Sequence, residues 1–409
     1  MIVKNRQYVQ FCAYGFLKNL RFFDAFLILF FVDKGLSFTE IGSLYALREI
    51  MVNVVEIPSG VVADTYGRKR SLVFSFCLYL LSFGTFYLAT GYWPLMAAML
   101  LYGIGDAFRS GTHKGMIMDY LKLQGWSDHK VDYYGHTRAW SQRGSAISAL
   151  IAGVLVYLDG DYSRIFLYSM GPYLLNFINI ATYPKVLNYS LTEANTKPSM
   201  LATFRSYWQV MKQPRLLAVI HSAAIHGAFM GSVKDYIQPL MVQLSLLIPI
   251  LLDTDPTKKS GLMIGGMYFL IYQLTSFASR KSAWLASQRR FDAVQGTLLL
   301  GLASGLICGF FYEWELWTAA IIPFVMIYLI ENIRKPILTG AIADAVPGEL
   351  LTTVLSSQSF WETLLTAGLS LLLGVLVDAL GLGWSLIYLS GALLLGSLLR
   401  MRFYPMKSR

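Results

Sequence analysis

Long apolar runs, interrupted by short polar or charged stretches, occupy almost the whole chain. They fall at roughly 8–32, 38–63, 71–90, 93–121, 131–158 and 164–184. After a polar stretch from Lys185 to Arg215 they resume at roughly 216–247, 260–279, 292–312, 316–343, 350–378 and 384–402. A bilayer core about 30 Å thick takes about 20 helical residues per crossing, so each run reads as one span. The pattern predicts an all-α membrane protein of twelve transmembrane helices. The third, sixth, ninth and twelfth runs hold no charged residue over 71–90, 165–184, 293–312 and 384–399, which suits lipid-facing positions. The first, second, fourth, fifth, seventh, tenth and eleventh carry Lys18, Arg21, Asp24, Arg48, Glu49, Glu56, Asp106, Arg109, Arg143, Lys234, Asp235, Glu331, Arg334 and Glu362. Ionisable groups in hydrocarbon cost at least about 2.5 kcal/mol each, so these must face one another or water. Eight helices around a polar cavity, supported by four apolar ones, satisfy that demand.

An internal repeat supports the same organisation. Asp106-Ala-Phe-Arg109 followed by Gly115-Met-Ile-Met-Asp119 recurs 225 positions later as Glu331-Asn-Ile-Arg334 and Gly340-Ala-Ile-Ala-Asp344. Gly153-Val-Leu-Val156 recurs 221 positions later as Gly374-Val-Leu-Val377, with Trp140 falling on Trp361. The fourth span is thus the counterpart of the tenth, and the fifth of the eleventh. Two pseudo-symmetric six-helix bundles are expected, at 1–187 and 216–409, joined by a cytoplasmic linker over 188–215.

Composition agrees, with 55% hydrophobic and only 14% charged residues, against roughly 25% charged in soluble domains. The net charge of +10 does not point to nucleic acid, because the basic residues cluster between spans. With the N-terminus placed inside, the inner segments hold 20 of the 34 Lys and Arg and the outer loops only Lys34, Arg164, Lys258 and Lys259. That bias predicts both termini on the cytoplasmic side of an inner (cytoplasmic) membrane. Cys12, Cys77 and Cys308 are scattered through apolar runs and read as buried small hydrophobes rather than disulfides or metal ligands. The Asn188-Tyr-Ser190 sequon falls on the cytoplasmic side and reads as chance, and the first span, interrupted by charge, is expected to be retained rather than cleaved.

The loop after the second span reads Gly60-Val-Val-Ala-Asp64-Thr-Tyr-Gly67-Arg68-Lys69-Arg70-Ser-Leu72. Glycines allow a tight turn, and an acid among cations there makes an ionic latch. The segment resembles the signature loop of the major facilitator superfamily, with Gly60, Asp64, Gly67, Arg68, Lys69 and Leu72 matching and Thr65 standing where an Arg is usual. The resemblance implies a secondary transporter working by alternating access, with Gly60, Asp64, Gly67 and Arg68 as a gating latch. The second half lacks a copy of this motif, and the fifth span lacks the Gly-Pro-rich pattern of proton-driven drug exporters in the superfamily.

Candidate binding groups come from the embedded polar positions. Asp106, Arg109 and His113, at i, i+3 and i+7 of the fourth span, form one polar stripe, and Lys18 and Arg21 share a face of the first. Asp106 with Arg109, Glu331 with Arg334 and Arg21 with Asp24 can alternatively be self-neutralising pairs. The substrate-binding set is Lys18, Arg21, Arg109, His113, Arg143, Trp140, His226, Arg334 and Trp361. Lys18 and Arg143 have no acid three or four positions away, which points to an organic anion such as a carboxylate or a metal chelate. Glu49, Glu362 and Asp24 are the candidates for proton coupling, the first two having no basic residue three or four positions away on their own helices. His221 and His226, five apart, do not form a two-ligand face, so no metal site or cofactor is expected. The expected partners are a small-molecule substrate, a co-transported proton and the bilayer, with the protein acting as a monomer. A proton-driven exporter of drugs or lipophilic cations is the alternative, followed by a divalent-metal transporter or a lipid-acting enzyme. No nucleotide-binding or hydrolytic motif supports an enzyme.

Overall fold

The computed structural model describes residues 4–126, 129–188, 214–247, 255–286, 292–346 and 348–403, and the described residues are helical with no strand. Span one is built from α1 (Arg6–Lys18), a 3₁₀ turn (Phe22–Phe26) and α2 (Leu27–Asp33). Spans two and three are α3 (Phe38–Tyr66) and α4 (Arg68–Leu88), and span four divides into α5 (Tyr92–Arg109) and α6 (Thr112–Leu123). Spans five and six are α7 (Lys130–Asp159) and α8 (Arg164–Ala181). Span seven joins α9 (Pro214–Val233), a 3₁₀ turn (Lys234–Tyr236) and α10 (Ile237–Leu246). Then follow α11 (Pro256–Arg280), the short α12 (Ser282–Ala286), α13 (Ala293–Glu313), α14 (Trp317–Ala345), α15 (Gly348–Leu380) and α16 (Leu382–Phe403). Most of the linker, 189–213, and with it the end of the sequon, lies outside the described residues.

Two interruptions shape the site. Span one stops helically at Lys18, where the Asn19 amide turns back to donate to the Gly15 carbonyl at 2.7 Å. Gly15 itself admits α7, since a Cβ there would lie 2.5 Å from Ser141 Oγ. Span four breaks at Ser110–Gly111, with Gly111 at φ +69°, a left-handed conformation that glycine adopts without steric cost. The Ser110 hydroxyl there donates to Glu56 Oε1 of α3 at 2.7 Å. The stripe expected from a continuous fourth span is therefore two stripes on two helices.

The repeat is visible in the packing. In the first half α4 packs on α5 and α8, and α1 on α7; in the second α13 packs on α14 and α16, and α9 on α15. Spans one and seven, counterparts in this scheme, are each broken by a 3₁₀ turn. The helices that carry the charge-free runs leave apolar strips exposed, such as Leu81 and Leu88 on α4, Leu174 and Leu175 on α8, Leu300 and Ile307 on α13, and Leu395 and Leu399 on α16. Among the described residues, seven helices are long and apolar enough, by length and hydropathy alone, to cross a membrane.

Contacts group the chain into two compact units, one of residues 1–36, 47–192 and 245–272, the other of 37–46, 193–244 and 273–409. Within the first unit Gly153 of α7 meets Gly261 and Gly265 of α11 backbone to backbone. Within the second, Asp378 at the end of α15 accepts from Phe38 N, Thr39 N and Thr39 Oγ1 at 2.9, 2.7 and 2.6 Å, capping the start of α3.

Candidate functional site

The polar core of the first unit is organised by Asp106, buried on α5. Tyr79 donates its hydroxyl to Oδ1 at 2.6 Å, Arg109 reaches the same oxygen at 2.9 Å, and Arg48 of α3 reaches Oδ2 at 3.1 Å. Arg109 also donates from Nε to the Tyr79 hydroxyl at 2.9 Å. Arg48 lies over the Tyr102 ring at 5.1 Å and beside Glu49 at 3.7 Å. Arg21 donates to the Tyr102 hydroxyl at 2.7 Å and pairs with Asp24 at 2.7 Å. The network thus holds Arg21, Arg48 and Arg109 against Asp24, Glu49 and Asp106, and its charges balance. Lys18 stands beside it with no ion pair among the described residues.

Lys18 faces a cavity of about 350 Å³ between α1, α6 and α7. Its charged lining is Lys18, Arg109, Lys114 and Arg138, joined by His113, and among the described residues no Asp or Glu contributes. Tyr134, Thr137, Ser141 and Gln142 of α7 add neutral donors and acceptors, and Phe11 and Tyr14 add aromatic surface. His113 stacks on Tyr14 with ring centroids 3.5 Å apart, and its Nε2 lies 3.3 Å from the Tyr183 hydroxyl. The break at Gly111 is what turns His113 into this stack while leaving it on the same cavity as Arg109.

The other candidates lie elsewhere. Arg21 is taken up by Tyr102 and Asp24. Arg143 sits on an exposed face of α7, its guanidinium 4.9 Å over the Trp140 ring. Trp361 is exposed on α15 beside Phe360. Glu362, on the next position, accepts from Gln358 at 2.8 Å and lies against Gly227. Arg334 belongs to the second unit and is fully buried, donating to Val294 O, Thr297 Oγ1, Ser222 O and Ser222 Oγ at 2.6–2.9 Å. Those four acceptors hold α14 to α9 and α13, leaving Arg334 a framework residue. Glu331 pairs with His226 at 2.7 Å and Lys335 at 3.5 Å instead of with Arg334.

At the signature loop Gly67 takes φ +108° between α3 and α4, with Asn188 packed against it. Arg68 pairs with Asp119 of α6 at 2.6 Å, fitting beside Gly115, where any side chain would collide with the guanidinium. Lys69 donates to the Tyr183 carbonyl at 2.7 Å. Gly60 lies within α3 with open space around it, while the Asp64 side chain lies outside the described residues, as does that of Asp344. Among the described residues no cluster of three or more His, Cys, Asp or Glu is placed to hold a metal ion.

A repeated helical bundle with a polar recess of about 350 Å³ is the kind of architecture that secondary transporters use. The chain belongs to the Major Facilitator Superfamily, whose sequence model matches residues 9–367, and it is accordingly a multi-pass membrane protein. It is similar to the nucleoside transporter NupG, with a TM-score of 0.78 at 10% identity over 98% of this chain and all of that one. A bacterial homologue of the human lysosomal transporter Spinster, inward-facing and unoccupied, gives 0.72 at 14% identity over 98% of each chain. At such identities the likeness is one of fold. Among curated proteins it is 24% identical over 225 residues to the uncharacterized MFS-type transporter YxaM of Bacillus subtilis (strain 168), covering 54% of this chain. It is 27% identical over 123 residues to that organism's hexuronate transporter, covering 30% of this chain. The matches span 55% of the first relative's length and 28% of the second's.

Proposed function

We propose that this transporter carries an organic anion of carboxylate type by alternating access, coupled to protons, as a monomer in the inner membrane with its N-terminus in the cytoplasm. The observation that carries the reading is the lining of the α1–α6–α7 cavity, four cationic side chains and a histidine with no carboxylate among the described residues. A recess lined by cations offers counter-charge to an anion, and Arg and Lys donors match carboxylate oxygens. The volume of about 350 Å³ lies in the range of small-molecule sites, roughly 300–1,000 Å³. Hydroxyl and amide groups of Thr137, Ser141 and Gln142 suit a hydroxylated anion such as a sugar acid. The partial likeness to a hexuronate transporter supports the same chemistry.

The test is a binding and uptake panel on the purified protein in proteoliposomes, using glucuronate, citrate, sucrose and tetraphenylphosphonium. Glucuronate or citrate should bind and accumulate under an inward proton gradient, and Lys18→Gln should weaken the anions alone. Tight binding of tetraphenylphosphonium, indifferent to Lys18→Gln, would overturn the reading in favour of a drug exporter.

A further inference from the structure

The two halves of the repeat place an acid at the same point, Asp106 on α5 and Glu331 on α14, each followed three residues later by an arginine. Their surroundings differ in one chemical respect. Asp106 is held by Arg48, Arg109 and Tyr79, and an arginine stays protonated across the physiological range. That carboxylate faces fixed positive charge. Glu331 has exchanged those partners for His226, whose Nδ1 lies 2.7 Å from Oε2, while Arg334 turns away to neutral acceptors on α9 and α13. Histidine is the side chain whose charge ordinarily changes between about pH 5 and 8.

The pair is also built to take a proton. His226 is fully buried, and its second nitrogen, Nε2, has no hydrogen-bond partner among the described residues. The ring occupies the place where a side chain would stand at Gly301, and a Cβ there would overlap Nε2. Glu331 is buried too, but its other oxygen, Oε1, lies 3.5 Å from Lys335 Nζ, and the Lys335 side chain is 63% exposed. The pair is thus one side chain away from an open face. The charged groups facing it are Arg334 and Lys335 from α14 and Glu362 from α15, which lies against Gly227, the residue after His226; α13 presents Gly301 and Thr297.

We propose, resting on the proton-coupled reading above, that the His226–Glu331 pair is the site that carries the coupling proton. One proton arriving from water forms one N–H bond on the imidazole or one O–H bond on the carboxyl, and the same bond breaks when the proton leaves on the other side. While the carboxylate is free of it, Glu331 holds Lys335; once the pair is protonated that attraction falls and Lys335 is released. The first half then binds solute with fixed charges and the second half counts protons with a titrating one.

Glu331→Gln and His226→Gln in the full-length protein test this with two readouts. Potentiometric titration of the purified protein reads proton binding directly, and proteoliposomes compare glucuronate counterflow without a gradient against uptake driven by one. Both variants should lose the proton that the wild-type pair takes up and lose gradient-driven accumulation, while counterflow persists. Glu331→Asp, which keeps the carboxylate, should shift the pH profile, and it decides the matter if the glutamine variants do not fold: an unshifted profile overturns the proposal. Wild-type titration and accumulation in both glutamine variants would overturn it as well. If the wild-type protein itself fails to accumulate glucuronate, the solute reading has failed, and the titration alone then decides whether the pair takes the proton.

Discussion

At the scale of single residues, Lys18 and Arg334 show how two embedded cations come to different ends. Lys18 closes α1 at the cavity and pairs with no carboxylate among the described residues, so its charge is available to a solute. Lys18→Gln should weaken anion binding by about 1.5–3 kcal/mol, the value of a hydrogen bond to a charged group, read by isothermal calorimetry with glucuronate, without lowering the melting temperature. Arg334 spends its donors on Ser222, Val294 and Thr297. Arg334→Gln should therefore destabilise the protein by at least about 1.5 kcal/mol, seen as a lower melting temperature, and leave affinity alone. Sequence distinguished them poorly because spacing along one helix reveals only local partners. Glu331 at i−3 suggested an ion pair for Arg334, whereas the acceptors come from other helices. Likewise Arg48 was legible as an embedded charge, but its bond to Asp106 joins α3 to α5. One signal was present and passed over: Tyr134, Thr137, Arg138, Ser141 and Gln142 recur at i, i+3, i+4, i+7 and i+8, a polar face of helical period that lines the cavity.

At the scale of elements, helix boundaries and crossings decide what the side chains can reach. The spans and the repeat were legible because hydropathy and spacing persist over 20 residues or so, whereas the breaks at Asn19 and Gly111 depend on contacts to α7 and α3 that no local pattern reports. Close crossings are equally specific. A Cβ at Gly265 would lie 2.7 Å from the Ala149 carbonyl, and α7 and α11 cannot yield without separating. Gly265→Val should cost about 1–3 kcal/mol through overpacking, measured as a lowered melting temperature, while Gly84→Ala, where a Cβ has open space, should not. The latch is a contact between elements as well. Arg68 at the start of α4 pairs with Asp119 of α6, so Arg68→Gln and Asp119→Asn should change turnover alike. Combining them should add little beyond either alone, because each removes the same bond. Transport rates that fall additively, or affinities that fall with them, would argue against a gating role.

At the scale of the whole molecule, orientation follows from where charge can be left. Basic side chains gather in the loops after even-numbered spans, as at Arg68, Lys69 and Arg70, and the loops after odd-numbered spans carry acids instead, as at Asp159, Asp161 and Asp255. The bias toward cytoplasmic Lys and Arg sets overall topology, so the first group should be inside and the second outside. The described helices give this a parity check. Between Arg70 and Asp255 the described residues hold α4, the α5–α6 pair, α7, α8 and the α9–α10 pair, five expected crossings, and an odd number should leave the two residues on opposite faces. Both are exposed, and Asp255 accepts backbone hydrogen bonds from Thr257 and Lys258 at the start of α11, where loss of a cap costs about 1 kcal/mol, too little to reverse a span. In a background lacking Cys12, Cys77 and Cys308, a membrane-impermeant maleimide added to intact cells should label Asp255→Cys and spare Arg70→Cys, and inverted vesicles should give the reverse. Labelling of both from one face would mean that one of these five passages does not cross. The composite fourth or seventh span, each divided into two shorter helices, would then be the first place to look.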